Sequence, residues 1–210
     1  VISDVVQDLD LGKCLDSETV KTLGMIWSSV EDCFMFHGPS FTPNLKLSKR
    51  VVLSFFSKLF DPINFLAPFT VNVKILFQEL WKVRKPSGEK LTWDEEIPVE
   101  FQEEFLKLVD GLKVVKAWKI PRRYYSCMKW SDAHIKFILV GFGDASPKAY
   151  GACVYLLMES GSFRSISLVM AKSRVAPLKS QTLPRLELMA GLVLARLITH
   201  VRQKLNLPVS

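Results

Sequence analysis

The sequence predicts an α+β fold: a helical middle, then three antiparallel strands closed by one long helix. Three observations carry this. Apolar residues recur at three- and four-residue spacing between residues 48 and 109. Strand-forming runs separated by turn residues occupy residues 136–171. From Thr182 to Leu205 a helical stripe returns and persists. The chain has 210 residues, 49% hydrophobic and 23% charged, which suits a folded chain with room for more than one core.

The elements follow in order. Thr22–Trp27 and Cys33–Phe36 flank the polar stretch Ser28–Asp32 and predict a β-hairpin. After Gly38-Pro39-Ser40, Ser48 is a natural N-cap for a helix whose stripe is Val52, Phe55, Phe56 and Leu59, ended by Asp61-Pro62. A second helix runs from about Pro68 to Val83 on Val71, Ile75, Leu76 and Leu80. Lys85-Pro86-Ser87-Gly88 is a turn. Trp93 to Val109 predicts an acidic amphipathic helix, and Val114 to Ile120 a strand stopped by Pro121. Lys136–Phe142, Ala149–Met158 and Ser165–Ala171 are the three strands, with a hairpin connection at Glu159–Ser162. The closing helix is capped by Thr182, has Pro184 in its first turn, and buries Leu186, Val193, Leu197 and Val201.

Charge is unevenly distributed. The first 104 residues carry 11 Lys and Arg against 16 Asp and Glu; the remainder carries 17 against 5, within a net +7. A basic half of this kind fits a phosphate-facing surface, or a solubilising one. No apolar run reaches the ~18 residues of a membrane span, and the start has neither a basic n-region nor an apolar core of a secretory signal. It reads as an interior piece of a longer chain. The four cysteines lie far apart without zinc or disulfide spacing.

Asp144 ends an apolar strand, and Glu187 sits in the first turns of the closing helix. Each has a bland reading, Asp144 as a turn residue and Glu187 as a carboxylate favoured by the helix dipole. As a pair on a strand end and a helix packed on the same sheet, they make a candidate site for a divalent metal, with the two side chains expected to face each other. His37, His134 and His200 share no ligand spacing, and Ser146 and Ser173 have no base beside them in sequence. Trp118, Tyr124, Tyr125 and Trp130 interleave with Lys116, Lys119, Arg122, Arg123 and Lys129. That alternation suits base stacking and phosphate contact, or a strand edge with snorkelling cations.

Several ordered motifs resemble one family. Gly141-Phe142-Gly143-Asp144-Ala145-Ser146 with Ala149-Tyr150-Gly151-Ala152 resembles the first strand and return of a retroelement ribonuclease H domain. Ala171–Pro177 followed by Leu183-Pro184-Arg185-Leu186-Glu187-Leu188 is similar to the third strand and first helix of the BEL/Pao group of LTR retrotransposons. Asp61–Pro68, Gln78–Trp81 and Trp93-Asp94-Glu95 resemble the stretch that follows the reverse transcriptase palm in that group's Pol polyprotein, and the Lys21–Phe36 hairpin resembles the one closing the palm. The resemblance implies residues 1–40 as the end of the palm, 41–112 as a helical thumb or connection, and 113–210 as the N-terminal half of a ribonuclease H-like mixed sheet. It implies Asp144 and Glu187 as catalytic, metal-binding carboxylates, Mg²⁺ or Mn²⁺ as cofactor, two-metal hydrolysis of RNA–DNA hybrids, and an intracellular setting with the rest of Pol as partner and no membrane. The candidate nucleic-acid contacts are Arg122, Arg123, Tyr124, Lys172 and Arg174. The family's two later carboxylates would follow Ser210, so the chain alone is expected to be inactive. A non-catalytic nucleic-acid-binding or partner-binding remnant is the alternative. The group's label as an aspartic peptidase is a further one, although no Asp-Thr-Gly or Asp-Ser-Gly turn occurs here to let paired carboxylates share a proton.

Overall fold

A computed structural model describes residues 19–22, 25–42, 45–124 and 135–208. In chain order the elements are β1 (Thr19–Thr22), β2 (Met25–Ser28), β3 (Cys33–Met35), α1 (Lys49–Ser57), α2 (Ala67–Leu80), α3 (Val99–Ala117), β4 (Lys119–Pro121), β5 (Lys136–Ala145), β6 (Ala149–Ser160), β7 (Phe163–Val175) and α4 (Leu183–Lys204). The chain is α+β and divides into two compact units. The first comprises residues 1–61 and 72–122, and the second residues 62–71 and 123–210.

In the first unit, β1 to β4 form an antiparallel sheet in that order. The predicted hairpin is β2–β3, with Ser28 opposite Cys33; Leu23 and Gly24 lie outside the described residues. The helical layer is fastened by aromatic packing. Phe55 and Phe105 are fully buried and meet edge to face at 5.4 Å, with Phe41 and Phe56 completing the cluster. Ser48 caps α1 by accepting from the Val51 amide at 3.4 Å. Lys49 is the unexpected core member. It is 1% exposed, donates to the Leu91 carbonyl at 2.8 Å, and holds its ammonium 4.5 Å over the Trp81 ring. Burial lowers its pKa from the ordinary lysine value.

Two expectations are corrected in this unit. The acidic helix starts at Val99 rather than Trp93, because Pro98 takes the N-cap and Glu95 and Asp94 are engaged in the preceding loop by Lys85 and Arg50. It also continues through the predicted strand Val114–Ile120 to Ala117, since Phe105, Leu112 and Val115 bury the same helical face. Only Lys119–Pro121 forms strand, paired with β3 in the first unit's sheet. Pro121 belongs to it rather than stopping it, which an edge strand tolerates.

The second unit is the antiparallel meander β5-β6-β7 with α4 packed on one face. On β6, Tyr150, Ala152, Val154, Leu156 and Met158 alternate inward and are buried. Ala152 to Met158 meet Phe137, Val169, Leu197 and Val201 in one core, and Tyr150 packs with Ala176, Leu186 and Ala190 in a second. The register slips between Val154 and Tyr155, which face Met170 and Leu168. Val169 is thus the extra residue of a bulge. The β6–β7 turn places Gly161 at φ +57°, a conformation glycine adopts without strain. Thr182 is the N-cap of α4 by position, but its side chain makes no capping bond. The Ile63 carbonyl accepts from the Ala171 amide at 3.0 Å, so residues 62–71 cover part of the outer edge of β7. Among the described residues no strand pairs with the free edge of β5.

Candidate metal centre and nucleic-acid surface

The glycines around the Asp144 motif set its geometry. A Cβ on Gly141 would lie 2.6 Å from Leu194 Cδ1, and one on Gly143 would lie 3.3 Å from the Ala190 carbonyl oxygen. Glycine therefore lets α4 lie close on the β5 backbone. The strand runs past the glycines, and Asp144 pairs opposite Gly151 and Ala145 opposite Tyr150. The turn role goes to Ser146, whose hydroxyl accepts from the Lys148 and Ala149 amides at 3.3 and 3.1 Å.

Alternation along β5 fixes where Asp144 points. Gly141, Gly143 and Ala145 face α4, so Asp144 stands on the other face, exposed, with Oδ1 accepting from the Ala145 amide at 2.8 Å. The expectation of two carboxylates facing each other across the strand–helix contact is therefore corrected: the position facing the helix belongs to Gly143. Glu187 is also exposed. It lies seven and eleven residues before Leu194 and Ile198, hence on the flank of α4 that leans over β5. Its neighbour Leu186 is buried with Tyr150, Ala176 and Ala190, with Ala145 packed against them. Asp144 and Glu187 thus lie toward the same end of the sheet, on opposite faces of β5.

The donors are hard oxygens, the class that Mg²⁺ and Mn²⁺ take. Mg²⁺ commonly uses one or two carboxylates, with waters and substrate phosphates completing its shell. The donor set fits such an ion in chemistry. No group of three or more His, Cys, Asp or Glu side chains with metal-holding geometry occurs among the described residues.

Cations surround that end. Lys148 lies in the β5–β6 turn, Lys172 and Arg174 on β7, Lys179 in the loop before α4 and Arg185 in its first turn. All five are exposed. Lys172 and Arg174 pair opposite the inward Ala152 and Tyr150, so they share the face on which α4 packs. Lys148, Lys179 and Arg185 gave no signal in the sequence, because they do not alternate with aromatics; only their grouping around the motif in space marks them.

The described part of the predicted stacking stretch is divided between the two units. Arg122 belongs to the first unit and is engaged by both carboxylate oxygens of Asp32, with its guanidinium 5.8 Å from the Trp27 ring. Lys119 is paired with Glu31, and Lys116 donates to the Pro39 carbonyl. Tyr124 packs against the second unit's core, where burial pushes its phenol up, and its carbonyl accepts from Ser167 Oγ at 3.0 Å. Arg123 is exposed, and Tyr125, Lys129, Trp130 and His134 lie outside the described residues.

A family model described as the Pao retrotransposon-like RNaseH-like domain matches residues 48–210, more than half of the chain. No curated protein matches. Among solved structures, a foamy viral protease–reverse transcriptase in complex with an RNA/DNA hybrid is similar at 14% identity and a TM-score of 0.41. The match covers 91% of this chain and 23% of that one.

Proposed function

The chain belongs to the Pao retrotransposon-like RNaseH-like domain family, and from that premise we propose that it is the reverse transcriptase–ribonuclease H region of a retrotransposon Pol polyprotein. In this reading residues 1–40 close the palm, 41–112 form the thumb or connection, and 113–210 contribute the ribonuclease H-like part. The protein acts inside the cell, on RNA–DNA hybrids, beside the rest of Pol.

The observation that carries the reading is the shared sheet end: two exposed carboxylates, Asp144 near the end of β5 and Glu187 in the first turns of α4, lie on elements that also carry five exposed cations or adjoin them. Asp144 and Glu187 would hold Mg²⁺ or Mn²⁺. A divalent ion bound there supplies a lowered pKa for water and charge neutralisation at a leaving oxygen. This chain's own share is positional. Gly141 and Gly143 bring α4 onto β5, the buried Leu186 fixes Glu187, and Lys148, Lys172, Arg174 and Arg185 attract phosphates. With Asp144 and Glu187 as the donors at this sheet end among the described residues, metal binding should be weak and hydrolysis slow.

The test separates metal from nucleic acid. Mn²⁺ binding, read by water-proton relaxation, should weaken in Asp144→Asn and in Glu187→Gln. Hybrid binding, read by fluorescence anisotropy, should survive both changes. Replacing Arg174 or Arg185 by Ala should lower the slope of log affinity against log salt by about 1 for each phosphate no longer neutralised. Unchanged Mn²⁺ binding in both carboxylate variants refutes the metal role. Hybrid binding that persists without metal binding would favour the non-catalytic reading.

A further inference from the structure

The turn Lys85-Pro86-Ser87-Gly88 takes no part in the sheet-end site, yet it carries a pattern of its own. Arg84 stands three residues before Ser87, and Lys85 two before it. A serine that follows such cations is what a kinase with an acidic substrate cleft recognises, because the cations pair with the cleft's carboxylates. The spacing alone is not selective. Arg164 precedes Ser167 by three positions, Arg196 precedes Thr199, and Arg123 precedes Ser126, which lies outside the described residues.

The fold selects among them. Ser167 lies within β7 opposite Leu156, half-buried, and its hydroxyl donates to the Tyr124 carbonyl at 3.0 Å. Thr199 lies inside α4 and donates to the Ala195 carbonyl at 2.7 Å. Ser87 sits at an exposed tip, and its hydroxyl has no hydrogen-bond partner among the described residues. The turn is closed by the Gly88 amide on the Lys85 carbonyl and the Lys85 amide on the Glu89 carbonyl, both at 2.8 Å, with an antiparallel bridge between Arg84 and Lys90. None of residues 84–90 is buried, so the tip can open into the extended form that a kinase cleft takes without disturbing the core. Its legs also hold cations for the product. The Arg84 guanidinium folds back to the Gly88 carbonyl at 3.3 Å, and neither Arg84 nor Lys90 enters an ion pair among the described residues. Residues 84–90 carry three cations against Glu89 alone. A phosphoryl group of about −1.5 to −2 charge would cancel that excess.

We propose that Ser87 is a phosphoacceptor for a serine kinase with an acidic substrate cleft, with MgATP as the donor. The Ser87 Oγ attacks the γ-phosphorus, and the bond from that phosphorus to the β,γ-bridging oxygen breaks. ADP leaves with the electron pair, and the hydroxyl proton passes to the kinase's base. The new phosphate draws in Arg84 and Lys90 from the two legs, so a cationic tip becomes a neutral one. None of this rests on metal or hybrid binding at the sheet end.

The experiment treats the full, folded chain with MgATP and the catalytic subunit of cyclic-AMP-dependent protein kinase, and locates the phosphate by mass spectrometry. Phosphate should enter Ser87 and spare Ser167 and Thr199. Arg84→Ala should lower kcat/KM at Ser87 about ten- to hundredfold, the worth of a charge-assisted contact in the cleft. Arg84 and Lys90 are exposed, so the fold should persist in their variants, and circular dichroism checks it. The phosphate itself is read by ³¹P resonance in a Ser126→Ala chain, which removes the other candidate. Flanking cations favour the dianion, so phosphoserine 87 should titrate below its ordinary value of about 6. Lys90→Ala leaves the recognition residues intact and should move that midpoint back up. A chain that takes phosphate only at other positions overturns the proposal, as does an Arg84→Ala chain modified as fast as the parent. A phosphoserine that titrates at about 6 whether or not Lys90 is present overturns the pairing across the legs.

Discussion

Gly151→Ala should loosen the β6–β7 ladder, whereas Gly191→Ala, in the same unit, should tighten α4. At Gly151 a Cβ would sit 2.9 Å from the Lys172 carbonyl oxygen and 3.5 Å from Ser173 Cα. Both are backbone atoms and cannot rotate aside, so the two strands must separate. Overpacking of this kind costs about 1–3 kcal/mol, and the stiffer unfolded chain returns about 0.4–1 kcal/mol. The net loss is about 1–2 kcal/mol. A Cβ on Gly191 meets nothing within 4 Å, so the mid-helix change gains about 0.8–1 kcal/mol. Hydrogen exchange followed by mass spectrometry reads both locally. Slow-exchanging β6 and β7 amides should exchange about 5–30-fold faster in Gly151→Ala. Those of α4 should slow about fivefold in Gly191→Ala. Unchanged or slower exchange on β6 and β7 in Gly151→Ala would refute the close-approach argument.

Two further outcomes concern the first unit. Phe105→Ala removes a fully buried ring from the Phe41–Phe55–Phe56 cluster and should cost about 3–5 kcal/mol, read in urea by the fluorescence of Trp27, Trp81, Trp93 and Trp118. The Lys85 ammonium and the Thr92 amide hold the Glu95 carboxyl down at about 2, from an ordinary 4.5. Because the folded pKa is depressed, its contribution is present above about 4.5 and is lost as pH falls toward about 2. Glu95→Gln should therefore flatten the fall in urea midpoint across that window, and an equally steep fall in the variant would show that another group carries it.

Periodicity was a sound guide where one face is buried and a poor one where a loop and a helix share a composition. The stripe Val52, Phe55, Phe56 marked α1, and the alternation from Tyr150 to Met158 marked β6. Trp93-Asp94-Glu95-Glu96 looked like a helical first turn, yet Arg50, 44 positions from Asp94, and Lys85, ten from Glu95, draw two of its acids into a loop. Val114-Val115 looked like strand because both are β-branched, but Val115 stacks one helical face with Leu112 and Phe105, a tertiary preference that local propensity does not contain. That Asp144 lies at the end of a strand and Glu187 at the start of the closing helix was legible. Which face each takes was not, because it depends on the strand continuing through Gly143 to Ala145 and so on the pleat at that point.

The bond from the Ala171 amide to the Ile63 carbonyl joins residues more than a hundred positions apart, and it makes the second unit discontinuous in the chain. On the ribosome, residues 62–71 emerge long before their partner strand exists. They must wait, through the synthesis of α3, β4, β5 and β6, for β7 to appear. Since long-range pairings are slow to form, β7 should be among the last pieces of this unit to settle, leaving its outer amides open to chaperones meanwhile. A fragment begun at Arg123 would lack those ten residues permanently, and would carry into solution an edge that the longer chain keeps partly covered.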